Sequence, residues 1–270
     1  MPWERQINVK TSQELKIMRK AGRINAEALA AARVAIRPGV TTADLNAAAE
    51  EVIKKHGCFS PFLNYPGPYP YPASTTVSVN DEMVHGIPGK RKLKEGDIVS
   101  VDCGTVLDGW VADSAFTAGV GEISEEAERI IEVTRQALKA GISKMVAGNF
   151  TGAIGNAIEK YVRSQGMYVT HTYTGHGVGR RMHEGPQVPN YGRPGGGTLL
   201  QNGLTIAVEP MVLIGTPETR VMPDEWTVVS ADRSLTAHYE HTIAITENGP
   251  VVLTVLENDP DYGLDTAKQV

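Results

Sequence analysis

Residues 97–117 read DIVSVDCGTVLDGWVADSAFT, and no other stretch restricts the fold as much. Asp102 interrupts the apolar run Ile98-Val99-Ser100-Val101, and Asp113 lies beyond a Leu107-Asp108-Gly109 turn. The pattern is that of an antiparallel hairpin. A four-residue loop at 106–109 sets Asp102 opposite Asp113; a two-residue Asp108-Gly109 turn makes them diagonal neighbours. Pairing parity puts both on one face of the sheet in either register. Two carboxylates that close repel each other, and one takes up a proton unless a cation sits between them. On a solvated face the same pair would carry no chemistry.

Two further carboxylates stand in equally apolar settings. Glu209 ends the run Leu204-Thr205-Ile206-Ala207-Val208, and Glu240 lies in AHYEHTIAI at 237–245. A glutamate in a buried strand is costly without a partner. An ion pair would serve each one singly. Four such groups together with a histidine favour a divalent metal, and oxygen-rich ligation with one imidazole suits Mn²⁺, Fe²⁺, Co²⁺ or Zn²⁺. Four carboxylates are more than one catalytic ion usually takes, which points to two ions.

The histidine comes from TGHGVGRRMHE at 174–184, which holds His176 and His183. Their seven-residue spacing does not match the four-residue spacing of a zinc-binding helix. Glycines at 175, 177 and 179 argue against a helix and for a flexible, turn-rich segment.

The rest of the chain reads as a plan used twice. Helices are expected at 12–36, opened by a Thr11-Ser12-Gln13-Glu14 capping box, and at about 43–56. A Pro/Tyr-rich loop at 58–72 and strands near 75–79, 97–105 and 110–117 follow. Helices at about 125–146 and 151–165 then precede strands near 167–173, 204–214, 226–230, 239–246 and 251–255. Laying residues 28–57 on 137–166 gives eight identities in thirty, including Gly39/Gly148, Thr42/Thr151 and Gly57/Gly166. The expected architecture is α+β, one domain over 1–270 with pseudo-repeat halves at about 11–120 and 121–255. A cleft between the halves is the natural site.

Composition narrows the function. A net charge of −5 and a pI near 5.8 do not suit a nucleic-acid partner. Two cysteines, Cys58 and Cys103, form no disulfide framework and fit a reducing, cytoplasmic setting. The polar start MPWERQINVKTSQELK reads as no secretory signal, and no apolar run reaches the length of a membrane span. No G-x-S-x-G is present, so a serine hydrolase of that type lacks support.

Five segments carry a resemblance. NDEMVHGIP (80–88), VDCGTVLDGWVADSA (101–115), TGHGVGRRMHEGPQVPN (174–190), IAVEPM (206–211) and WTVVSADRSLTAHYEHT (226–242) resemble the type I methionine aminopeptidases, which have the pita-bread fold. The resemblance spans about residues 10–255. It implies an antiparallel sheet with outer helices and two divalent ions, Co, Mn, Fe or Zn. Asp102 would hold one ion, His176 and Glu209 the other, and Asp113 and Glu240 both. Glu209 would shuttle the proton, His183 would hydrogen-bond the scissile carbonyl, and His85 would contact the substrate near its amide. The methionine pocket would draw on Tyr65 or Tyr71, Thr76, Met182 and Trp226. Relatives often carry cysteine at the position of Thr76 and phenylalanine at that of Met182, and the loop at 66–72 looks longer here.

The implied partners are nascent chains that begin with methionine and a small second residue, met by a monomer in the cytoplasm near the ribosome. An Xaa-Pro aminopeptidase or prolidase of the same fold is the rival enzyme, and it differs around Glu209-Pro210-Met211. A partner-binding member that has lost ligands is the rival of another class; this chain keeps all five. The gap from His183 to Glu209 leaves no room for the helical insert of the type II enzymes. Of the remaining histidines, His56 suits a helix C-terminus. His171, His238 and His241 have no strong claim, although His171 and His241 stand near enough to proposed ligands in sequence to support them.

Overall fold

The computed structural model describes residues 7–257; residues 1–6 of the polar N-terminal stretch lie outside them. Helix α1 (Ser12–Ala35) opens at the expected capping box, with Glu14 N donating to Thr11 Oγ1 and Thr11 N donating to the Glu14 carboxylate. Helix α2 (Thr42–Lys55) opens the same way on Thr41 and Asp44. Next come β1 (Thr75–Val79), β2 (Glu82–Val84), β3 (Ile98–Leu107) and β4 (Trp110–Gly119). Helices α3 (Glu125–Ile142) and α4 (Thr151–Ser164) follow. The second half then runs through β5 (Tyr168–Val169), β6 (Thr174–Gly177), β7 (Glu184–Pro189), β8 (Thr205–Val208) and β9 (Met211–Leu213). It closes with β10 (Thr219–Val221), β11 (Val228–Ser230), β12 (Thr236–His238), β13 (Glu240–Thr246) and β14 (Gly249–Val252). Among the described residues no helix is long and apolar enough to cross a membrane.

The main sheet is antiparallel, in the order β1-β3-β4-β13-β8-β6-β7, with β14 alongside β13. Two small sheets, β10-β11-β2 and β12-β9-β5, flank it. Alternation along the central strands decides which side chains meet the helices. Val99, Val101 and Cys103 join a core with Ile24, Leu29, Leu45 and Ile53 of α1 and α2. Ile206, Val208, Ile243 and Ile245 join a second core with Ile130, Leu138, Ile154 and Ile158 of α3 and α4. The intervening residues, Asp102 among them, take the opposite face.

The two helix pairs are closed alike. Gly39 and Gly148 have φ of 90° and 91°, and Gly57 and Gly166 have φ of 68° and 73°. Only glycine adopts that left-handed backbone without cost. Gly39 N donates to Leu93 O and Thr42 N to Arg91 O; Gly148 N donates to Leu200 O and Thr151 N to Thr198 O. Leu93 and Leu200 each precede a carboxylate, Asp102 and Glu209, by nine residues.

Several expected boundaries shift. Helix α3 stops at Ile142 rather than 146, although buried Met145 continues its apolar spacing. The strand expected at 167–173 shrinks to Tyr168–Val169. The one expected at 204–214 is split by Glu209 and Pro210. The larger correction concerns 174–184. Thr174–Gly177 is a strand hydrogen-bonded on both sides, not a free turn. Its glycines are there because neighbouring backbone lies close: a Cβ on Gly175 would sit 2.5 Å from Ala207 O, and one on Gly177 2.1 Å from Gly185 O.

Candidate metal centre

Four strands and the residue after a fifth bring the carboxylates and His176 together. β3 and β4 join through a two-residue turn with φ of 50° at Asp108 and 74° at Gly109, the pattern of a type I′ hairpin. Asp102 therefore faces Ala115, and Asp113 faces Gly104, the diagonal arrangement. Ala115 also faces Glu240 on β13, so Asp102, Ala115 and Glu240 form one row. A second row runs His176, Ala207, Thr242 across β6, β8 and β13. Directly paired residues share a face, as do residues two apart. The rows and that spacing put Asp102, Asp113, His176, Glu209 and Glu240 on the same face. Alanine at the middle of each row leaves room between the longer side chains.

The resulting cavity is about 180 Å³ and is lined by all twelve residues singled out from the sequence. One end is polar: Asp102, Asp113, His176, Glu209, Glu240 and the histidines 85 and 183. The other end is an apolar wall of Phe62, Tyr65, Tyr71, Met182 and Trp226. Tyr71 and Trp226 meet edge to face at 5.1 Å, and the Tyr71 hydroxyl donates to Gly86 O at 2.9 Å. Thr76 lies between the two ends, paired with Asp102 in register. His85 holds a left-handed φ of 61° and sets its ring edge-on to Tyr173 and Trp226.

Burial dominates the electrostatics. Asp102 and Asp113 are 8% and 2% exposed, and Glu240 is 1% exposed; the Glu209 side chain is the most open at 13%. Burial pushes all four carboxyls well above the usual range. Asp113 adds to the shift of Asp102, Glu240 to that of Asp113, Asp113 and Asp102 to that of Glu209, and Glu209 and Asp102 to that of Glu240. Burial also drives His85 and His176 down to about 4 and His183 to about 2, so the rings are neutral near pH 7. The His176 ring is tautomerically set: Nδ1 lies 2.9 Å from the Gly177 carbonyl and donates to it, leaving the Nε2 lone pair 3.5 Å from Glu209 Oε1 and 3.8 Å from Asp113 Oδ2.

These groups fit a metal. Asp102 Oδ1, Asp113 Oδ1, Glu240 Oε1 and His238 Nε2 are buried without a hydrogen-bond partner. An unpaired buried polar atom is costly, and three oxygens and a nitrogen in one cluster are explained by a cation that satisfies them together. Two donor sets come close enough to share an ion each: Asp113, His176 and Glu240, and Asp102, His238 and Glu240.

His238 is the residue that sequence reasoning passed over. It is 2% exposed, with Nε2 3.7 Å from Glu240 Oε2 and 3.9 Å from Glu209 Oε2. It lies one residue before the strand expected at 239–246, so no strand period marks it. Phe62, Val84, Tyr173, Thr174 and Met211 also line the cavity without having been singled out. The support expected from His171 and His241 is not found. His171 is exposed against Tyr191, and His241 bonds Thr254 in a separate cavity. His56 caps α2 and meets Glu27 at 2.9 Å.

The model of metallopeptidase family M24 matches residues 16–247. The chain belongs to metallopeptidase family M24. Within it, the chain is 49% identical over 252 residues to the methionine aminopeptidase of Clostridium acetobutylicum, covering 93% of this chain and 100% of that protein. It is 45% identical to methionine aminopeptidase 1 of Bacillus subtilis, over 91% of this chain and 98% of that one. The solved methionine aminopeptidase of Thermotoga maritima superposes with a TM-score of 0.90 at 45% identity, over 93% of this chain and 100% of that chain. The prolidase of Pyrococcus furiosus superposes at 0.73 with 25% identity, over 93% and 66%. The M24 chain thus has the α+β pita-bread fold expected from its motifs, and the resemblance read from them holds.

In this M24 chain, Glu184 is bound from the N-terminal side of the fold and from its own loop. Its carboxylate is buried against Lys10 at 2.9 Å and accepts the amides of Arg180 and Arg181 at 2.8 and 3.2 Å. His183 meets the Tyr65 hydroxyl through Nδ1 at 2.6 Å. The buried pair therefore pins the loop that carries His183. Replacing Lys10 by methionine strands a buried charge and should cost about 3–5 kcal/mol. Urea unfolding of the variant measures it, and a loss within the scatter of surface substitutions would contradict that role.

Proposed function

We propose that this chain is a metal-dependent aminopeptidase that removes the N-terminal methionine of polypeptides with a small second residue. The single observation that carries the reading is the cavity itself, with a buried four-carboxylate, histidine-bearing centre at one end and a closed aromatic wall at the other. Its relatives at 41–49% identity bear the name methionine aminopeptidase. The solved prolidases of the same fold stand at 24–25%, which favours this reading over Xaa-Pro cleavage.

Asp102, Asp113, His176, Glu209 and Glu240 would hold two divalent ions, Co, Mn, Fe or Zn. When bound, such ions supply Lewis-acid polarisation and a more acidic water near neutral pH. The protein's own groups do the rest. Glu209, the most open carboxylate, takes the proton of the attacking water and passes it to the leaving amine. Tyr65 donating to His183 Nδ1 leaves the proton on Nε2, the tautomer that can donate to the scissile carbonyl as its charge grows. His85 contacts the substrate near the amide. Tyr65, Tyr71, Thr76, Met182 and Trp226 receive the methionine side chain, for which a flexible thioether at 182 is a suitable neighbour.

The same reading makes the chain one catalytic domain with pseudo-repeat halves at about 11–120 and 121–255. The matching glycines and cross-links of the two helix pairs support it, as does the placing of Asp102 and Glu209 nine residues after Leu93 and Leu200. It also makes the enzyme a cytoplasmic monomer that meets nascent chains leaving the ribosome. Two buried free cysteines agree with a reducing setting.

Release of the first residue from Met-Ala-Ser, Leu-Ala-Ser and Ala-Pro-Ala tests the substrate class. Met-Ala-Ser is expected to be cleaved at least about tenfold faster than Leu-Ala-Ser, since pocket fit is worth roughly 1–3 kcal/mol. Turnover of Ala-Pro-Ala alone would assign the chain to Xaa-Pro cleavage instead.

A further inference from the structure

We infer that His238 is a metal ligand, giving the Asp102 side of the centre its own imidazole. The assignment rests on the metal-dependent reading above and goes beyond its five ligands. His238 is 2% exposed, and its Nε2 is buried with no hydrogen-bond partner. That nitrogen points into the acidic centre, 3.7 Å from Glu240 Oε2 and 3.9 Å from Glu209 Oε2. Atoms of Asp102, His238 and Glu240 all lie within 4.8 Å of one another, as do those of Asp113, His176 and Glu240.

The centre thus holds two sets of like composition that share Glu240, each with two carboxylates and one imidazole. Without His238 the Asp102 side would be an all-oxygen site, of the kind that suits Mg²⁺ or Mn²⁺. With it, both sides favour the borderline ions Fe²⁺, Co²⁺ and Zn²⁺. The backbone that carries the ring is fixed. His238 ends β12, its N–H donates to Thr117 Oγ1, and its carbonyl accepts from the same hydroxyl. Both ends of that residue's peptide are therefore fixed to β4, which carries Asp113.

The competing account is that His238 only pairs with Glu240 or Glu209 and touches no ion. Two measurements on the full chain separate the accounts. Calorimetric titration of chelator-stripped protein with Co²⁺ compares wild type with His238→Gln, and thermal melts confirm that the variant is folded. One of two binding events is expected to weaken by more than roughly 100-fold, beyond the 10- to 100-fold that loss of a group merely hydrogen-bonded to a ligand costs, with the other unchanged. A crystal structure of wild type grown with Zn²⁺, its ions located by anomalous scattering, needs no variant at all. Nε2 of His238 is expected at about 2.0–2.1 Å from an ion. Equal affinities in wild type and His238→Gln, or an ion pair with Nε2 beyond bonding distance, would overturn this assignment and leave the metal reading standing. A wild type that takes up no ion would overturn both.

Discussion

Glutamine at position 209 is expected to lower kcat for methionine release by roughly 10²–10⁴-fold, the usual worth of a general acid–base group. The substitution keeps the size of the side chain and the split between β8 and β9 that places it. It removes the group that can carry a proton from water to the departing amine. It also replaces one anionic donor by a neutral one 3.5 Å from His176 Nε2, so some loss of metal affinity accompanies the loss of turnover. Assays at saturating metal separate the two effects. Activity that returns fully with more metal would make Glu209 a ligand only; a persistent loss in kcat with little change in KM is the expected outcome. Glu240→Gln should behave differently, because Glu240 is buried at 1% exposure and belongs to both donor sets. Its main effect should be on metal retention.

Metal removal is expected to destabilise the fold, and increasingly so as pH rises. At about a thousandfold excess over its dissociation constant, each ion contributes about 4 kcal/mol. For a chain of this size that corresponds to a fall in Tm of roughly 7 °C per ion. The sign with pH follows from the carboxyls. In the metal-free protein Asp102, Asp113, Glu209 and Glu240 are raised above their unfolded values by burial and by one another. The folded state then binds more protons than the unfolded one, so stability declines as pH rises from the ordinary carboxylate range through the raised values. Bound ions require the ionised forms, so the loaded protein gains over the same window. The gap in Tm between loaded and stripped protein should widen as pH rises above the ordinary carboxylate range. A gap that narrows, or no response to chelator, would contradict a centre built from these four groups.

The reach of the sequence reading differs from residue to residue. Asp102 and Asp113 were accessible because a tight turn and strand alternation settle the face on which they lie, whichever of two registers forms. His238 was not. The strand expected at 239–246 begins one residue after it, whereas β12 ends at His238 and the chain passes at Tyr239 from a small sheet into the main one. Nothing in the local pattern marks that change of sheet. The glycines around His176 have the pattern of turn formers, because glycine signals conformational freedom and close approach alike. Telling these apart requires knowing that Ala207 and Gly185 carbonyls lie against them. The pairing of Lys10 with Glu184 joins residues 174 apart, and no local rule anticipates it. Strands as short as Glu82–Val84 and Thr219–Val221 carry too few residues for a period to appear.

The most direct test of the central claim is methionine release from Met-Ala-Ser by chelator-stripped protein, with Mn²⁺, Co²⁺, Fe²⁺ or Zn²⁺ then added back singly, for wild type and His176→Ala side by side. The account predicts no release without metal, recovery with at least one of the ions, and failure of His176→Ala to recover at the same ion concentration. Release that survives stripping, or recovery that is the same with and without the His176 imidazole, would contradict it.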